Sequence, residues 1–487
     1  MIIVFVTYLV IVIALAIYFA RKSKTQDDFV MGGRKIPGFA LALSERAAGE
    51  SSWLLLGLTG HAFIEGLGSV WVALGCVIGI LFIWWVMADR LRTLSVTTGA
   101  NTIPSLFAKR FPGSAFSIQM LSSAIIIFFF LFYIAAQFSG AGKVLFMAFG
   151  VDEFWGSVLS ALLIVVYTML GGFISVVAID VFQALLMFIS IVVIPIVAMF
   201  FLASHDLVIA NALAEAGPQM STFTMGKSGT AAWLFVLSGL SWALGYTGQP
   251  HLLARMMAIS NRKQVKIARG VASSWTIVAY IGAILMGLTG FVLMQNGFFD
   301  ANTQALMDDH EKLLPTMLAF LVTPVIAGIL LSGAVSAMMS TAASQLMVCT
   351  FSITEDIVPN TKYKGRVKRK IWLSRGIIIV VGIIAFITGI TMSDTVYGLV
   401  SYAWAGIGSS FGPALLLLLF WKRFSAAGVI ASLIGGTGGA IIWKLLYTES
   451  TGISERLTSF VFALVMAILF SLLIPTNKNK KLKPENQ

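Results

Sequence analysis

The sequence predicts an all-α polytopic membrane protein with about thirteen transmembrane helices. Ten of them form two five-helix repeats, and extra helices stand at the ends. Three observations carry this. Of 487 residues, 58% are hydrophobic and only 11% are charged, where a soluble domain carries roughly 25% charged residues, and mean hydropathy is +0.92. Apolar runs of about 20 residues, the length that spans a bilayer as helix, recur from end to end. Two of these runs, five apart in chain order, are interrupted by charged, Gly or Pro residues, and each would open one repeat. An odd number of helices per repeat forces the two repeats to insert with opposite topology.

Residues 2–20 form the first run, with RKSK following at 21–24. A secretory signal would place charge before the run and a small-residue cleavage site after it. The reverse order predicts a retained helix with its N-terminus outside. Further spans are expected at 38–59, 67–88, 117–138, 154–172, 181–203, 231–251, 272–294, 318–350, 371–392, 396–420, 425–446 and 456–474. The stretch 313–350 is long enough for a tilted helix or for a helix plus a re-entrant piece. The expected organisation is a first helix and loop over 1–36, a first repeat over 37–203 and an outside loop over 204–230. A second repeat follows over 231–420, then two helices and a basic tail over 421–487.

Charge supports this topology. Alternate loops at 21–35, 90–110, 255–269, 362–375, 422–423 and 478–483 hold 27 of the 33 Lys and Arg. Outside loops and span ends hold Lys143, Lys227, Lys312, Lys444 and Arg456, and Arg46 lies within a span. Such asymmetry marks cytoplasmic loops. It predicts a plasma-membrane protein with a cytoplasmic C-terminus, and it accounts for the net charge of +12 without nucleic acid. Cys76 and Cys349 fall in apolar runs and the four histidines are scattered, so neither a disulfide framework nor a Cys-based metal site is expected.

The two interrupted spans are the second, FALALSERAAGESSWLLLGL, with Glu45, Arg46 and Glu50, and the seventh, AAWLFVLSGLSWALGYTGQPHLLA, with Gly239, Gly245, Gly248 and Pro250. Ionisable groups at membrane depth face a cavity or one another. Gly and Pro loosen a helix and free its carbonyls. Broken helices at corresponding positions of two halves point to the binding site of a secondary transporter. Arg46 and Glu50 are also spaced to pair at i,i+4.

The ninth span contains GAVSAMMSTAASQLMVC at 333–349. Ser332, Ser336, Ser340, Thr341 and Ser344 recur at about one helical turn. The carbonyl of Ala337 and the hydroxyls of Ser340 and Thr341 lie on nearly one face, a start on a site for a small hard cation such as Na⁺. Small and hydroxyl residues also let membrane helices pack closely. On these residues alone both readings stand.

The stretches WLLLGLTG (53–60), GYTGQPHLLARMMA (245–258), AGILLSGAVSAMMSTAASQLMVC (327–349), SITED (352–356) and VSYAWAGIGSSFGPALL (400–416) resemble the solute:sodium symporter family, most of all its sodium/proline symporters. The resemblance runs over about residues 5 to 475. It implies a LeuT-like five-plus-five inverted-repeat core. It also implies Na⁺ held by the carbonyls of Ala47, Glu50 and Ala337 and the hydroxyls of Ser340 and Thr341. The chain departs from that pattern beside the site. The symporters carry an acidic residue where Gly49 stands and Met where Glu50 stands, and they lack Glu45 and Arg46. Glu45 or Glu50 then offers protons as an alternative or added coupling ion.

Trp242, Tyr246 and Pro250 stand at i, i+4 and i+8, one stripe on a continuous helix. By resemblance they match residues that line a proline pocket, with Gln249 as an added polar contact. Aromatic faces suit a small ring with a secondary ammonium, and its carboxylate would meet free N–H groups at a half-helix N-terminus. Asp180 matches an acidic residue on the sodium exit path, or else is a carboxylate at a helix start. Tyr133 matches a pocket-side position. The resemblance thus implies sodium-coupled symport of a small solute, L-proline first. Another amino acid, a carboxylate or a sugar is the alternative.

Rival classes find little support. SGAGK at 139–143 lacks the glycine spacing and the Ser or Thr of a phosphate loop, and no other ATP-binding motif is present. Glu45 and Glu50 are the only candidate catalytic pair at membrane depth, so an enzyme is not expected. Twelve residues after Pro475 leave no room for a signalling domain. The expected partners are the solute, Na⁺ and the lipid bilayer, with no nucleic acid and no obligate protein partner.

Overall fold

The computed structural model describes residues 1–21, 31–299, 303–358, 367–392 and 394–475, and all regular structure among them is helical. The basic tail at 478–483 and parts of the basic loops at 21–35 and 362–375 lie outside the described residues.

The first helix, α1 (Ile2–Ala20), leads to α2 (Gly38–Ser52), which passes through a wide π-turn at Trp53–Leu58 into α3 (Thr59–Glu65). Ser51 breaks this span, with φ 45° and ψ −169°. A non-glycine residue held there costs on the order of 1–3 kcal/mol, so the surroundings impose the break. Gly66, at φ 55°, then turns the chain into α4 (Val70–Phe82), which continues through Ile83–Met87 into α5 (Ala88–Thr98). A Cβ on Gly66 would lie 2.3 Å from the Met220 carbonyl oxygen, so only glycine fits. The turn folds the chain back, because Trp84 Nε1 donates to Glu45 Oε2 at 3.0 Å. An unbroken helix would hold these residues about 58 Å apart.

A short helix α6 (Ile103–Arg110) is closed by a reciprocal cap between Thr102 and Ser105, and α7 (Ala115–Phe149) follows. Helix α8 (Glu153–Ser204) breaks at Gly172, with φ 66° and ψ −174°. Tyr167 and Asp180 flank that break, yet they bond the neighbouring residues Met339 and Ser340, so the two halves are separate crossings. The reversal is tight. The connection expected at 173–180 is helix instead, and Asp180 lies well inside the second half rather than at a helix start.

The seventh span comes in three pieces, α9 (Gly229–Leu240), α10 (Trp242–Tyr246) and α11 (Pro250–Met257). Gln249 is extended, with φ −77° and ψ 106°, and Pro250 has no N–H to continue the ladder. Apart from short helical turns in the loops, the chain continues through α12 (Arg262–Gln295), α13 (Leu313–Leu321), α14 (Pro324–Phe351), α15 (Val367–Thr391), α16 (Val396–Phe420), α17 (Ala426–Leu446) and α18 (Glu455–Leu473). Extended Val322 separates α13 from α14, which resolves the 313–350 ambiguity as a short helix plus one full span.

Among the described residues eleven stretches are long and apolar enough to cross a membrane. Gly38–Thr98 counts twice because it folds back, and the broken seventh span adds one more, which gives the thirteen expected. Burial orders them. In α14 and its short extension, 83% of the apolar window is buried, against 22% in α1 and 28% in α15. Helix α14 is central and packs against α2, α7 and α8. The outer helices expose Ile, Val, Leu and Phe, as a lipid-facing surface must.

Candidate ion and substrate site

The break at Ser51 sets the chemistry of the centre. The Ser52 N–H donates to Gln137 Oε1 on α7 at 3.0 Å, and the Trp53 N–H reaches Ser51 Oγ at 3.1 Å. The Ala48 carbonyl therefore loses the Ser52 donor it would have in a regular helix. Thr341 of α14 takes that place. Its hydroxyl donates to the Ala48 oxygen at 3.0 Å and lies 3.4 Å from the Ala47 oxygen. Ala337 stands one turn earlier on α14, wholly buried. The Glu50 carbonyl accepts from the Trp53 N–H. Neutral oxygens from a broken helix thus meet a hydroxyl across a helix–helix contact. A hard cation prefers such a donor set, and binding Na⁺ here requires no full negative charge. Ser340, adjacent to Thr341, turns elsewhere and donates to Asp180 Oδ1 at 2.6 Å.

Asp180 is the hub of a second network. Its Oδ2 accepts from Ser44 at 2.5 Å and from Arg255 Nη2 at 3.0 Å. Arg255 also donates to Ser44, Ser344 and the His251 carbonyl. Four helices, α2, α8, α11 and α14, meet at this one buried guanidinium. Charge counting along the sequence placed Arg255 in a cytoplasmic loop. It is instead only 2% exposed within α11, because α11 extends past the end of the apolar run. Beside it lies a cavity of about 30 Å³ that touches Phe173, Pro250, Arg255, Ser344 and Phe351, room for about one water.

The third network is centred on α2. Arg46 pairs with Glu45 through two nitrogens, Nε at 2.7 Å and Nη2, and reaches Glu50 Oε1 through Nη1 at 2.8 Å. Trp84 supports Glu45, and Thr276 lies 3.3 Å from Arg46. All three charged side chains are fully buried. A Cβ on Gly49 would press on Leu252 at 3.1 Å and make only ordinary contact with Arg46 Nη2 at 3.6 Å, so this glycine eases the packing of α2 on α11.

Aromatic side chains close the other side of the break. Trp242 stacks on Trp53 at 4.1 Å between centroids and 15° between planes, and the Arg456 guanidinium lies 4.4 Å from the Trp242 ring. Tyr246 meets the edge of Trp404 at 4.7 Å and shares a hydrogen bond of 2.8 Å with Tyr280. Gln249 Nε2 reaches the Trp404 carbonyl at 3.5 Å. Tyr133 Oη lies 3.4 Å from Ser51 Oγ, and its ring faces His251 and Trp404. Trp242, Tyr246, Gln249 and Tyr133 therefore gather around the break. Pro250 does not join them. The extended backbone at Gln249 interrupts the expected stripe, and Pro250 faces the Arg255 cavity. A solute carboxylate is expected to meet free N–H groups at a half-helix N-terminus; after the break in α2 the Ser52 and Trp53 N–H groups already have partners in Gln137 and Ser51. Gln137, Arg255, His251, Tyr280 and Trp404 are site neighbours that sequence reasoning missed. Gln137 left a signal, a lone amide in an apolar run.

At the far end of the aromatic group, Tyr397 stacks on His61 at 4.6 Å. Glu311 accepts from the Val396 and Tyr397 N–H groups and from Lys143, pinning the start of α16 to the turn before α13. Burial holds His310 in that turn below its ordinary pKa.

Comparison with known proteins extends these observations. The family model for the sodium:solute symporter family matches residues 29–436. An osmoregulated proline transporter of Bacillus subtilis is 34% identical over 481 residues, covering 95% of this chain and 94% of its own. A sodium/proline symporter of Escherichia coli is 32% identical over 475 residues, covering 97% and 93%. Among solved structures, a Na⁺-coupled sialic acid symporter in a substrate-bound outward-open state superposes with a TM-score of 0.78 at 19% identity, over 97% of this chain and 98% of that one. A nucleobase-cation-symport-1 family transporter in a closed conformation gives 0.53 at 13% identity, over 92% and 94%. These likenesses show the fold, the five-plus-five inverted-repeat architecture of LeuT-like transporters. The matched relatives are transporters rather than enzymes, and with a family model spanning most of its length this chain belongs to the sodium:solute symporter family.

Proposed function

We propose that the protein is a secondary active transporter of the plasma membrane that carries L-proline together with Na⁺ by alternating access. The observation that carries this reading is the meeting of the Ala47 and Ala48 carbonyls with the Thr341 hydroxyl across the break in α2. Na⁺ would displace the Thr341 hydrogen bond and take those oxygens as ligands, joined by the carbonyls of Glu50 and Ala337 and the Ser340 hydroxyl. Trp242, Tyr246 and Gln249 would hold the solute on the other side of the break. The names of the relatives, a proline transporter and a sodium/proline symporter, favour proline over other small solutes.

Ion and solute would then share one structural element. An ion on the α2 carbonyls fixes the break, and the fixed break positions Trp53 against Trp242 for the solute. The repeats at 37–203 and 231–420 are the halves that rock, with the N-terminus outside and the C-terminus in the cytoplasm. Asp180 receives Na⁺ from Ser340 on the way to the cytoplasm, once Arg255 has moved.

Uptake of radiolabelled proline into proteoliposomes tests this. An imposed Na⁺ gradient should drive saturable uphill uptake, and a proton gradient without Na⁺ should not. Full uptake on protons alone would contradict the sodium assignment. Failure of unlabelled proline to compete would contradict the substrate assignment.

A further inference from the structure

The three charges within α2 do not balance. Glu45 and Arg46 close on each other through a two-nitrogen pair that Trp84 completes. Glu50 receives only the remaining Arg46 nitrogen, on Oε1. Its second oxygen, Oε2, is buried without a hydrogen-bond partner. With both acids ionised, two carboxylates and one guanidinium leave one negative charge, on a side chain with no exposed surface. A buried carboxylate with an unpaired oxygen is costly unless a cation completes it.

The surroundings indicate which cation. Tyr280 lies beside the Glu50 carboxylate, and Tyr133 and Tyr246 lie within its electrostatic reach. These tyrosines come from α7, α10 and α12. The Tyr246 and Tyr280 hydroxyls bond each other, which leaves one hydroxyl proton that Tyr280 can turn toward Glu50; what else these residues offer a newcomer is ring surface. A small inorganic ion needs a shell of oxygens. An organic ammonium is satisfied by one carboxylate oxygen and aromatic faces. In the aromatic group beyond the break two more buried atoms lack partners, Gln249 Oε1 and Trp242 Nε1. They are an acceptor and a donor, suited to the rest of a zwitterion.

We infer that the Glu50 side chain is the receptor for the ammonium group of the transported amino acid, through Oε2, while Arg46 and Glu45 hold that carboxylate in place. This rests on the amino-acid reading above and deepens it. It also gives the displaced acid a role. One position along a helix turns a side chain by about 100°, which moves the carboxylate from the Leu252 and Arg46 side at Gly49 to the tyrosine side at Glu50.

The test is equilibrium binding to purified full-length protein at saturating Na⁺. L-Proline is compared with tetrahydrofuran-2-carboxylate, which replaces the ammonium by an ether oxygen. Wild type should prefer proline by at least a hundredfold. Glu50→Gln should bind proline at least tenfold more weakly and lose most of that preference. Glu50→Asp, which keeps the charge, should retain it even if Glu50→Gln folds poorly. The Na⁺ concentration that half-saturates binding should stay within twofold in both variants. Unchanged preference in Glu50→Gln, or an unchanged proline affinity with a shifted Na⁺ requirement, would overturn the inference. A wild type that binds another amino acid but not proline defeats only the proline assignment, and the comparison is then made with that amino acid and its deaminated analogue. A wild type that binds no amino acid defeats the inference together with the amino-acid reading, and Na⁺-dependent uptake of an uncharged solute would still leave the symporter standing.

Discussion

Two buried arginines, Arg46 and Arg255, bond side chains of α2, and they are wired differently. Arg46 bonds both of its acidic partners within its own helix, α2. Arg255 joins four helices, with Ser44 on α2, Asp180 on α8, its own α11, and Ser344 on α14. Ion pairs inside one helix move with that helix in a rigid-body rotation, which stretches only the Trp84 and Thr276 contacts at their edge. A network between helices resists rotation until it breaks. The first is suited to holding a binding group in a fixed place, the second to latching one conformation. The cavity beside Arg255 lies just beyond this latch, while the Glu45–Arg46–Glu50 cluster borders the aromatic group.

The sharpest way to break this comparison is to remove each arginine in turn. Arg46→Met leaves two buried carboxylates facing each other, and a loss of about 5 kcal/mol, the upper range for an orphaned buried charge, is expected. Thermal unfolding of the purified protein should show little folded material. Arg255→Met leaves only Asp180, which still accepts from Ser44 and Ser340, so about 3 kcal/mol is expected. Adding Asp180→Asn should restore much of that stability without restoring uptake. A larger stability loss from Arg255→Met than from Arg46→Met would overturn the contrast.

Smaller changes sharpen it. Thr341→Ala removes the hydroxyl that meets the α2 carbonyls, and its half-saturating Na⁺ in uptake assays should rise about tenfold, equivalent to about 1.4 kcal/mol. An unchanged Na⁺ requirement would return α14 to a packing role. Trp242→Phe trims the face that stacks on Trp53 and lies under Arg456. A loss of about 1 kcal/mol should raise half-saturating proline several-fold and leave Na⁺ dependence alone.

Much of this was legible in the chain. Apolar runs marked the spans, and Glu45, Arg46, Glu50, Gly245, Gly248 and Pro250 marked the two that break. The Arg46–Glu50 pair follows from helical spacing, because its partners are four residues apart. The Asp180–Arg255 pair does not, since 75 residues separate its partners and no local pattern links them. Arg255 looked like loop charge because it follows the last apolar residues of its run. The stripe through Trp242, Tyr246 and Pro250 assumed a continuous helix, and the same Gln249–Pro250 step that marks the break takes Pro250 out of it. Local periodicity reports which residues share a helix. Which helices share a site depends on how they pack, and here only the family resemblance supplied that before the structure.

The most direct test of the latch is a reversible cross-link. Cysteines replacing Ser44 and Ser344, the α2 and α14 partners of Arg255, are joined by a short bifunctional thiol reagent in a protein whose Cys76 and Cys349 have been replaced. Cross-linking should abolish Na⁺-driven proline uptake into proteoliposomes, and cleavage of the reagent should restore it. Full uptake by the cross-linked protein would contradict a latch that must open in every cycle.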